Sequence, residues 1–373
     1  MNVQFFNKPL IVIFTLLLLL LGLPCISGAV TTTWHPGTGN WSDVSNWDTG
    51  NVPDINDDVI IDNTPATDSI VNLNVSTTIK SLVIGVGDQL LQQNARNLTI
   101  AGNATNNGTW KINSTGSYTG MVFNGDQTLS GTGEIILSDK ATNQISTTSY
   151  GQTITQKADH TIRGAGQLLL NRGNMVNQGK IIAEGTAALT IDPYASFINN
   201  GTLEAKGSGG LILGTGLFKN NTSIDVKDGS KLVVAGAKIS GGTLNTAGTG
   251  QINVKNSSTF DAVTLSKGSR AVQANGQTST IENDLVSNGT WKINSTGSYT
   301  NMVFNGDQTL SGTGEIILSD KATNRIYTTS YGQTITQKAD HTIRGAGQLL
   351  FNRGNMVNQG KIIAEGTAAL TID

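Results

Sequence analysis

The chain has 373 residues, of which 45 are glycine, 13% are charged and 5% are aromatic, and its formal net charge is −2. This composition is unlike that of an ordinary globular enzyme, and the near-zero charge offers no basic surface to hold a phosphate backbone, so no nucleic-acid partner is expected. Short runs of Val, Ile and Leu recur between Gly, Asn, Thr and Ser, which is typical of an all-β protein with many tight turns.

Residues 1–29 have the pattern of an export signal. Lys8 precedes the apolar run Leu10–Leu23, and Ser27-Gly28-Ala29 places small residues before a cleavage point. The run is short against the ~20 residues that span a bilayer, so we expect cleavage after Ala29 and no membrane span in the mature chain. Cleavage also removes Cys25, the only cysteine, so neither disulfides nor thiolate metal sites are expected to hold the mature protein together.

Residues 30–71 are predicted to form an N-terminal cap together with the first strands. Trp34, Trp41 and Trp47 lie close together in sequence, and each can bury on the order of 150–250 Å². A stacked β fold needs such a cap because an open parallel edge invites pairing with other chains. The alternative function for these tryptophans is an aromatic platform that binds carbohydrate.

An oxygen-rich cluster follows the tryptophans, formed by Asp54, Asn56, Asp57 and Asp58. Such ligands suit calcium, but the cluster lacks the spacing and the closing Glu of an EF-hand loop. We therefore interpret it as a turn that leads into the strand Val59-Ile60-Ile61.

Residues 107–192 and 288–373 have almost the same sequence, at an offset of 181 that is fixed by Trp110 and Trp291. Duplication of this kind is typical of a repeat architecture whose units stack along an axis. The copies differ at four pairs of positions, of which we assign Leu170/Phe351 to an inward column and the other three to turns or the surface. The differing positions are Gly120/Asn301, Gln144/Arg325, Ser146/Tyr327 and Leu170/Phe351.

A finer period lies between residues 174 and 258, where two sets of apolar positions recur at steps of 22, 21 and 20 along the chain. Within each unit the apolar residues have a period of two, which places them on one face of a strand. Strands this short need neighbours, and stacking them in parallel at ~4.8 Å supplies the partners. The two sets are Ile181, Leu203, Ile224 and Leu244, and Leu189, Leu211, Leu232 and Ile252.

These observations predict an all-β protein whose residues 72–373 form a right-handed parallel β-helix, or solenoid, with coils of ~21 residues. Each long repeat unit would then hold between eight and nine coils and add about 40 Å of rod. Trp110 and Trp291 fit the frame of Leu203, so core packing is preferred over sugar stacking for both.

A family resemblance emerges from three segments, Trp34–Trp47, Pro53–Ile61 and Ile239–Leu265. They resemble bacterial surface and secreted proteins of the autotransporter-passenger and filamentous-haemagglutinin-like type, over most of residues 31–373. The resemblance implies a β-helix at the cell surface or outside the cell. Because Asp192, the counterpart of the last residue Asp373, is followed by further related sequence, we expect a truncated chain whose missing C-terminal region carries the anchor.

Candidate catalytic groups are Asp159-His160 with Arg163, and Asp139-Lys140, since some β-helix enzymes cleave acidic polysaccharides with such residues on an outer face. Their repetition argues against a unique active site, and the three histidines do not form a metal set because two are copies of one position. No catalytic, cofactor-binding or metal residue is therefore assigned. The repeated residues are Asp340-His341 and Arg344, and the remaining histidine is His35.

Several Asn-Gly-Thr and Asn-Ser-Thr sequences read formally as glycosylation acceptors. Their position at coil turns explains them without sugars, because Asn tolerates left-handed backbone geometry and can form ladders between coils. They begin at Asn107, Asn113, Asn200, Asn288 and Asn294.

The sequence thus predicts an exported, secreted or cell-surface, non-enzymatic rod that acts as an adhesin or structural element. Its expected partners are extracellular carbohydrate or the surface of a host or neighbouring cell. The alternative is a secreted, polysaccharide-active β-helix enzyme, a lyase or glycoside hydrolase. A groove lined by unrepeated charged residues would favour the enzyme, and uniform Thr, Asn and Ser faces would favour the rod.

Overall fold

The computed structural model describes Met1, residues 30–61 and residues 67–373, so the predicted export signal lies outside the described residues. One 3₁₀ helix, Val44–Asn46, is present there, and the Asp43 side chain accepts a hydrogen bond from the Ser45 amide at its start. All other regular structure in this part of the chain is β-strand. In the same residues no helix has the length and apolar character needed to cross a membrane.

The strands before the first copy are β1 Val30–Thr33, β2 Thr38–Asn40, β3 Asp57–Ile61, β4 Ile70–Leu73, β5 Thr77–Ile79, β6 Ser81–Ile84, β7 Gln89–Gln92, β8 Asn97–Ile100 and β9 Ala104–Asn106. Those of the first copy are β10 Thr109–Ile112, β11 Thr119–Phe123, β12 Gln127–Ser130, β13 Glu134–Leu137, β14 Asn143–Thr147, β15 Thr153–Gln156, β16 Thr161–Gly164, β17 Gly166–Leu168, β18 Asn174–Asn177, β19 Lys180–Ala183 and β20 Leu189–Ile191.

Between the copies lie β21 Ser196–Asn199, β22 Thr202–Ala205, β23 Leu211–Leu213, β24 Gly216–Asn220, β25 Ser223–Val226, β26 Lys231–Ala235, β27 Ala237–Ser240, β28 Thr243–Thr246, β29 Gln251–Lys255, β30 Ser258–Leu265, β31 Arg270–Gln273 and β32 Thr278–Ser287. The second copy contains β33 Thr290–Ile293, β34 Thr300–Phe304, β35 Gln308–Ser311, β36 Glu315–Leu318, β37 Asn324–Thr328, β38 Thr334–Gln337, β39 Thr342–Gly345, β40 Gly347–Leu349, β41 Asn355–Asn358, β42 Lys361–Ala364 and β43 Leu370–Ile372.

Successive strands of each coil pair in parallel with the corresponding strands of the coils before and after, which produces three faces. The first face is β2-β4-β7-β10-β13-β16-β19-β22-β25-β28-β30-β32-β35-β38-β41. The second is β5-β8-β11-β14-β17-β20-β23-β26-β29-β31-β33-β36-β39-β42, and the third is β1-β3-β6-β9-β12-β15-β18-β21-β24-β27-β30-β32-β34-β37-β40-β43. The 14 strands of the second face span about 60 Å at the usual spacing of paired strands.

Strands β30 and β32 belong to two faces because each turns a corner without a loop. The register of β30 against β32 shifts between Asp261 and Val263, where Ala262 has a φ of 52°. In β32 the corner is made by Asn283 and Asp284, with φ values of 50° and 71°. Left-handed residues at these points redirect the chain from the third face to the first.

The predicted parallel β-helix is confirmed by the strand register. Ile181 pairs with Leu203, Leu203 with Ile224, and Ile224 with Leu244, as the first apolar set requires. The second set pairs in the same way, from Leu189 through Leu211 and Leu232 to Ile252. The side chains of both sets are buried, so they form inward columns.

Coil length varies more than the prediction allowed. The predicted length holds between residues 174 and 258, from which it was derived. The coil that pairs Thr161 with Lys180 is shorter, and the coil that pairs Glu134 with Thr161 is longer. The assignment of Leu170 to the column of Ile191 is wrong for this reason. The coil there is also longer than predicted and pairs Leu168 with Ile191, whereas Leu170 is a partly exposed turn residue with a φ of 54°.

Corresponding strands of the two copies lie on different faces of the solenoid. The column of Trp110 rises through eight paired steps on the first face and ends at Ser287. Trp291 then lies on the next strand, β33, which belongs to the second face and pairs with β31 and β36. The unit is therefore eight and one third coils long, within the predicted range, and every strand of the second copy is moved one face further around the axis.

Candidate functional site

The three N-terminal tryptophans form a buried cluster, as the cap requires. Trp34, Trp41 and Trp47 are 2%, 0% and 1% exposed. The Trp47 ring meets the other two edge to face at centroid distances of 4.9 and 4.8 Å, and its Nε1 donates to the Trp41 carbonyl at 2.8 Å. No ring face is open to a sugar, so the alternative of a carbohydrate platform is wrong.

The acidic cluster near residue 57 builds the turn into β3. Asp57 Oδ2 accepts from the Asp54 amide at 2.7 Å, and Asp54 Oδ1 accepts from the Asn56 amide at 2.8 Å. The Asp58 side chain points to the next coil. Its Oδ2 lies 2.9 Å from Lys80 Nζ, and its Oδ1 accepts a hydrogen bond from the Ser81 hydroxyl. These hydrogen bonds, the one from Ser81 first, lower the pKa of Asp58. The carboxylates thus serve the turn and the neighbouring coil.

The candidate acid and base groups are separated by the strand alternation. His160 and His341 are fully buried, and desolvation lowers the pKa of each to about 4, so both imidazoles are neutral at pH 7. Asp159 and Asp340 are exposed at turns. The structure does not bring either histidine to an outer face beside its arginine.

Arg163 lies on the outside of the first face and is saturated by carboxylates. Its Nε and Nη2 donate to Glu134 at 2.7 and 3.1 Å, and its Nη1 donates to Glu184 at 2.6 Å. Hydrogen bonding to Arg163 lowers the pKa of Glu134 and raises that of the guanidinium. Arg344 repeats this arrangement with Glu315 and Glu365 on the second face. Such a ladder links three coils.

Asp139 joins two turns that lie far apart in sequence. Its Oδ1 accepts from the Ala187 amide at 2.7 Å, and the Thr186 hydroxyl donates to Oδ2. The hydrogen bond from Thr186 is the main reason that the pKa of Asp139 is lowered. Its counterpart Asp320 binds in the same way, and its pKa is lowered to about 2, chiefly by the Ala368 amide. These carboxylates remain ionised and structural.

The asparagines of the glycosylation-like sequences lie at coil turns, as expected. Asn107 and Asn288 each accept from the threonine amide of the next coil at 3.1 Å. Asn200 accepts from Asn221 Nδ2 at 2.7 Å, which forms a short outer ladder. A longer ladder runs inside, from Asn177 through Asn199 to Asn220 at 2.8 and 2.9 Å.

The four positions that differ between the copies meet in one place. Gly120 pairs with Gln144 on adjacent coils of the second face, and Asn301 pairs with Arg325 on the third. Tyr327 follows Arg325 on the same side of β37, and its ring is 6.1 Å from that of Phe351. We call the four residues of the second copy, Asn301, Arg325, Tyr327 and Phe351, the divergent patch.

Arg325 is the centre of the divergent patch. Its guanidinium carbon lies 3.4 Å from the centroid of the Tyr299 ring and 3.9 Å from that of Phe351. Its Nε donates to Gln348 Oε1 at 2.9 Å. Arg353 lies over the Tyr327 ring at 5.8 Å. The substitutions therefore replace Gly, Gln, Ser and Leu by an asparagine, one cation and two aromatic rings, beside a tyrosine and an arginine that both copies share.

A further difference outside the identical segments makes room for the patch. A Cβ added at Gly120 would lie 3.1 Å from the side-chain oxygen of Asn97. In the second copy Thr278 replaces Asn97, and Asn301 Nδ2 donates to Thr278 Oγ1 at 3.2 Å. The strand below the patch has thus changed together with it.

No protein-family model matches the chain. No curated protein matches it either. Among solved structures, the crystal structure of a TibA fragment hyper-glycosylated by TibC aligns over 92% of this chain and 97% of the fragment, at 11% identity and a TM-score of 0.24. So distant an alignment supports neither a family nor a function, and the fold rests on the strand pairing of this chain.

Proposed function

We propose that the protein is an exported, non-enzymatic β-helical rod, at the cell surface or released from it, that adheres through its outer faces. The observation that carries the proposal is the position of the two copies. Both fold into the same eleven strands on one continuous core, but each strand of the second copy lies one face further around the axis than its counterpart. The duplication adds length and outward surface, as in repeat proteins that bind along an extended surface.

The charged side chains of the outer faces also support a rod. Arg163 and Arg344 are each bound by two glutamates of other coils, so these charges are used within the solenoid. The expected partner is extracellular carbohydrate or the surface of a neighbouring cell. The resemblance to autotransporter-passenger proteins agrees with export, which cleavage after Ala29 would accompany.

The rival function, cleavage of polysaccharide, would use outer carboxylates that occur once in the chain. Asp261 and Glu282 form such a pair on adjacent coils of the third face, and Lys238 Nζ lies 3.1 and 2.6 Å from them. A general acid needs a raised carboxyl pKa. Partial burial of Asp261 acts in that direction, but hydrogen bonds from Asn283 and Lys238 outweigh it and lower the pKa. This favours a closed ion-pair cluster over a catalytic pair.

The test uses the purified protein on beads, presented to surfaces coated with neutral or acidic polysaccharides and to bacterial cells. We expect saturable adhesion to at least one surface, with no new reducing ends or unsaturated sugars in the supernatant. Adhesion to none of them would refute the proposal. Release of sugar products that is abolished by Asp261→Asn would instead establish the rival enzyme.

A further inference from the structure

We propose that the divergent patch is a binding site for a carboxylated glycan, in which Arg325 binds the carboxylate and the neighbouring rings stack on the sugar. This inference rests on the proposed adhesive function and names a ligand class for one surface of the rod. It starts from the observation that all four differences between the copies converge on one outer patch of the third face. Four independent neutral changes, scattered over the length of a copy, would have no reason to meet there.

The guanidinium of Arg325 is held in one orientation. The Tyr299 and Phe351 rings lie 3.4 and 3.9 Å from it, and Gln348 Oε1 accepts from Nε at 2.9 Å. Little side-chain entropy then remains to be lost when a ligand binds. This arrangement leaves the two terminal nitrogens to make the paired hydrogen bonds that suit a carboxylate.

Arg325 also differs from the ladder arginines in its charge balance. In residues 30–61 and 67–373 the ion pairs of arginine involve Arg163 and Arg344, and neither Arg325 nor Arg353 binds a carboxylate. The divergent patch therefore carries one uncompensated positive charge, that of Arg325, in a protein whose net charge is −2, and Arg353 beside it has a counterpart in the first copy, Arg172. Its charge is complementary to an anionic ligand.

The rings around Arg325 provide a surface for a sugar. Tyr299 remains 56% exposed although Arg325 lies against its ring. Tyr327 and Phe351 are half-buried and tilted by 58° to each other. Aromatic rings combine a flat apolar surface with, in tyrosine, a hydroxyl that hydrogen-bonds, and the Gln348 amide offers further polar groups to sugar hydroxyls.

An acidic peptide is less well suited to this surface. Strand β34 already pairs with β32 and β37, and β37 already pairs with β34 and β40. A peptide cannot add as a further strand because the backbone groups of these strands are used between coils. A peptide would have to bind to side chains alone. A saccharide needs no backbone pairing, because its hydroxyl and carboxylate groups bind to side chains directly.

The first copy supplies a matched control on the same backbone. Tyr118 is retained there as an exposed ring, but Gln144, Ser146 and Leu170 replace the cation and the two further rings. The removal variant carries Asn301→Gly, Arg325→Gln, Tyr327→Ser and Phe351→Leu, which restores the sequence of the first copy. The transfer variant carries Gln144→Arg, Ser146→Tyr and Leu170→Phe, and it keeps Gly120 because of the close Asn97.

The experiment is calorimetric titration of the full chain with a short oligogalacturonate, its methyl ester and an oligoglutamate peptide. We expect one oligogalacturonate site in the unchanged protein, none in the removal variant and two in the transfer variant. Methyl esterification, or Arg325→Lys with loss of the paired hydrogen bonds, should weaken binding about tenfold or more. Circular dichroism of each variant checks that the β-helix is retained.

Each remaining outcome refutes the site. Equal binding by the removal variant would place the glycan elsewhere, equal binding of the methyl ester would exclude carboxylate recognition, and equal binding of oligoglutamate would favour a peptide ligand. A protein that adheres to surfaces but shows no oligogalacturonate site overturns this inference alone. A protein that adheres to no surface overturns the proposed function itself.

Discussion

The same tryptophan in the two copies should contribute differently to stability. Trp110 Nε1 donates to Gln92 Oε1 at 3.1 Å. Trp291 Nε1 is buried without a hydrogen-bond partner, and the corresponding oxygen of Gln273 accepts instead from the Ser279 hydroxyl at 2.9 Å. Replacing each tryptophan by phenylalanine removes the same atoms, and a phenylalanine ring at 291 can keep the edge-to-face contact that Trp291 makes with Phe260 at 4.8 Å. The difference between the two variants therefore mainly reports the hydrogen bond.

Trp110→Phe should cost more free energy of unfolding than Trp291→Phe, by about 2 kcal/mol. The change at Trp110 removes a hydrogen bond and leaves the Gln92 oxygen buried without a donor, a loss of about 1–3 kcal/mol. The change at Trp291 removes a buried donor that is unpaired, which offsets part of the packing loss that both variants share.

Native-state hydrogen exchange with mass spectrometry can measure this difference. The readout strands are β7 and β31, which pair with β10 and β33 and lie outside the identical segments, so their peptides are distinguishable. A difference of ~2 kcal/mol corresponds to roughly thirtyfold faster exchange at β7 in Trp110→Phe than at β31 in Trp291→Phe. Equal acceleration, or a larger effect of Trp291→Phe, would refute the reasoning.

Two further predictions concern buried polar groups. Burial lowers the pKa of His341 from 6.5 to about 4, so the fold loses stability as the pH falls from about 6.5 towards 4, because the unfolded chain binds a proton that the folded chain does not. His341→Gln should remove on the order of 2–3 kcal/mol of that loss, seen as a smaller drop in urea midpoint between pH 7 and 4.5; an unchanged drop would contradict the assignment. Asn199→Ala should cost about 2–3 kcal/mol, because it interrupts the ladder from Asn177 to Asn220. The neighbouring Asn200→Ala, on the outer ladder, should change stability by less than about 0.5 kcal/mol, and equal costs at the two positions would be inconsistent with the inner ladder.

The columns could be predicted from sequence because one stretch has nearly constant coil length. From Ile181 to Leu244 each step differs from the next by a single position, so apolar positions align by counting. The same counting placed Leu170 wrongly, because the coil that joins Leu168 to Ile191 is longer. An insertion of this kind lies in a turn and does not disturb the core. The pattern of apolar residues in the sequence therefore does not reveal it.

The divergent patch was missed for the same reason, although its spacing was present in the sequence. The separation between Gly120 and Gln144 equals that between Ser146 and Leu170. The pairing of Asn301 with Arg325 shows that the coil between them has this same length. Assuming that length from the sequence would have placed the four positions on adjacent coils, close together. The cation between two rings could not have been predicted, because it depends on side-chain conformations that the spacing does not determine.

The extra third of a coil in each unit also determines the directions in which copied surfaces point. Matching groups of the two copies face away from the axis in different directions, so a flat target lying along the rod can meet one set at a time. Duplication therefore cannot strengthen attachment to a single plane by two-point binding, which needs both sites to be engaged together. It instead lets the rod make contact from more rotational positions, and a third unit of the same length would bring each copied group to the one face on which its first two copies do not lie.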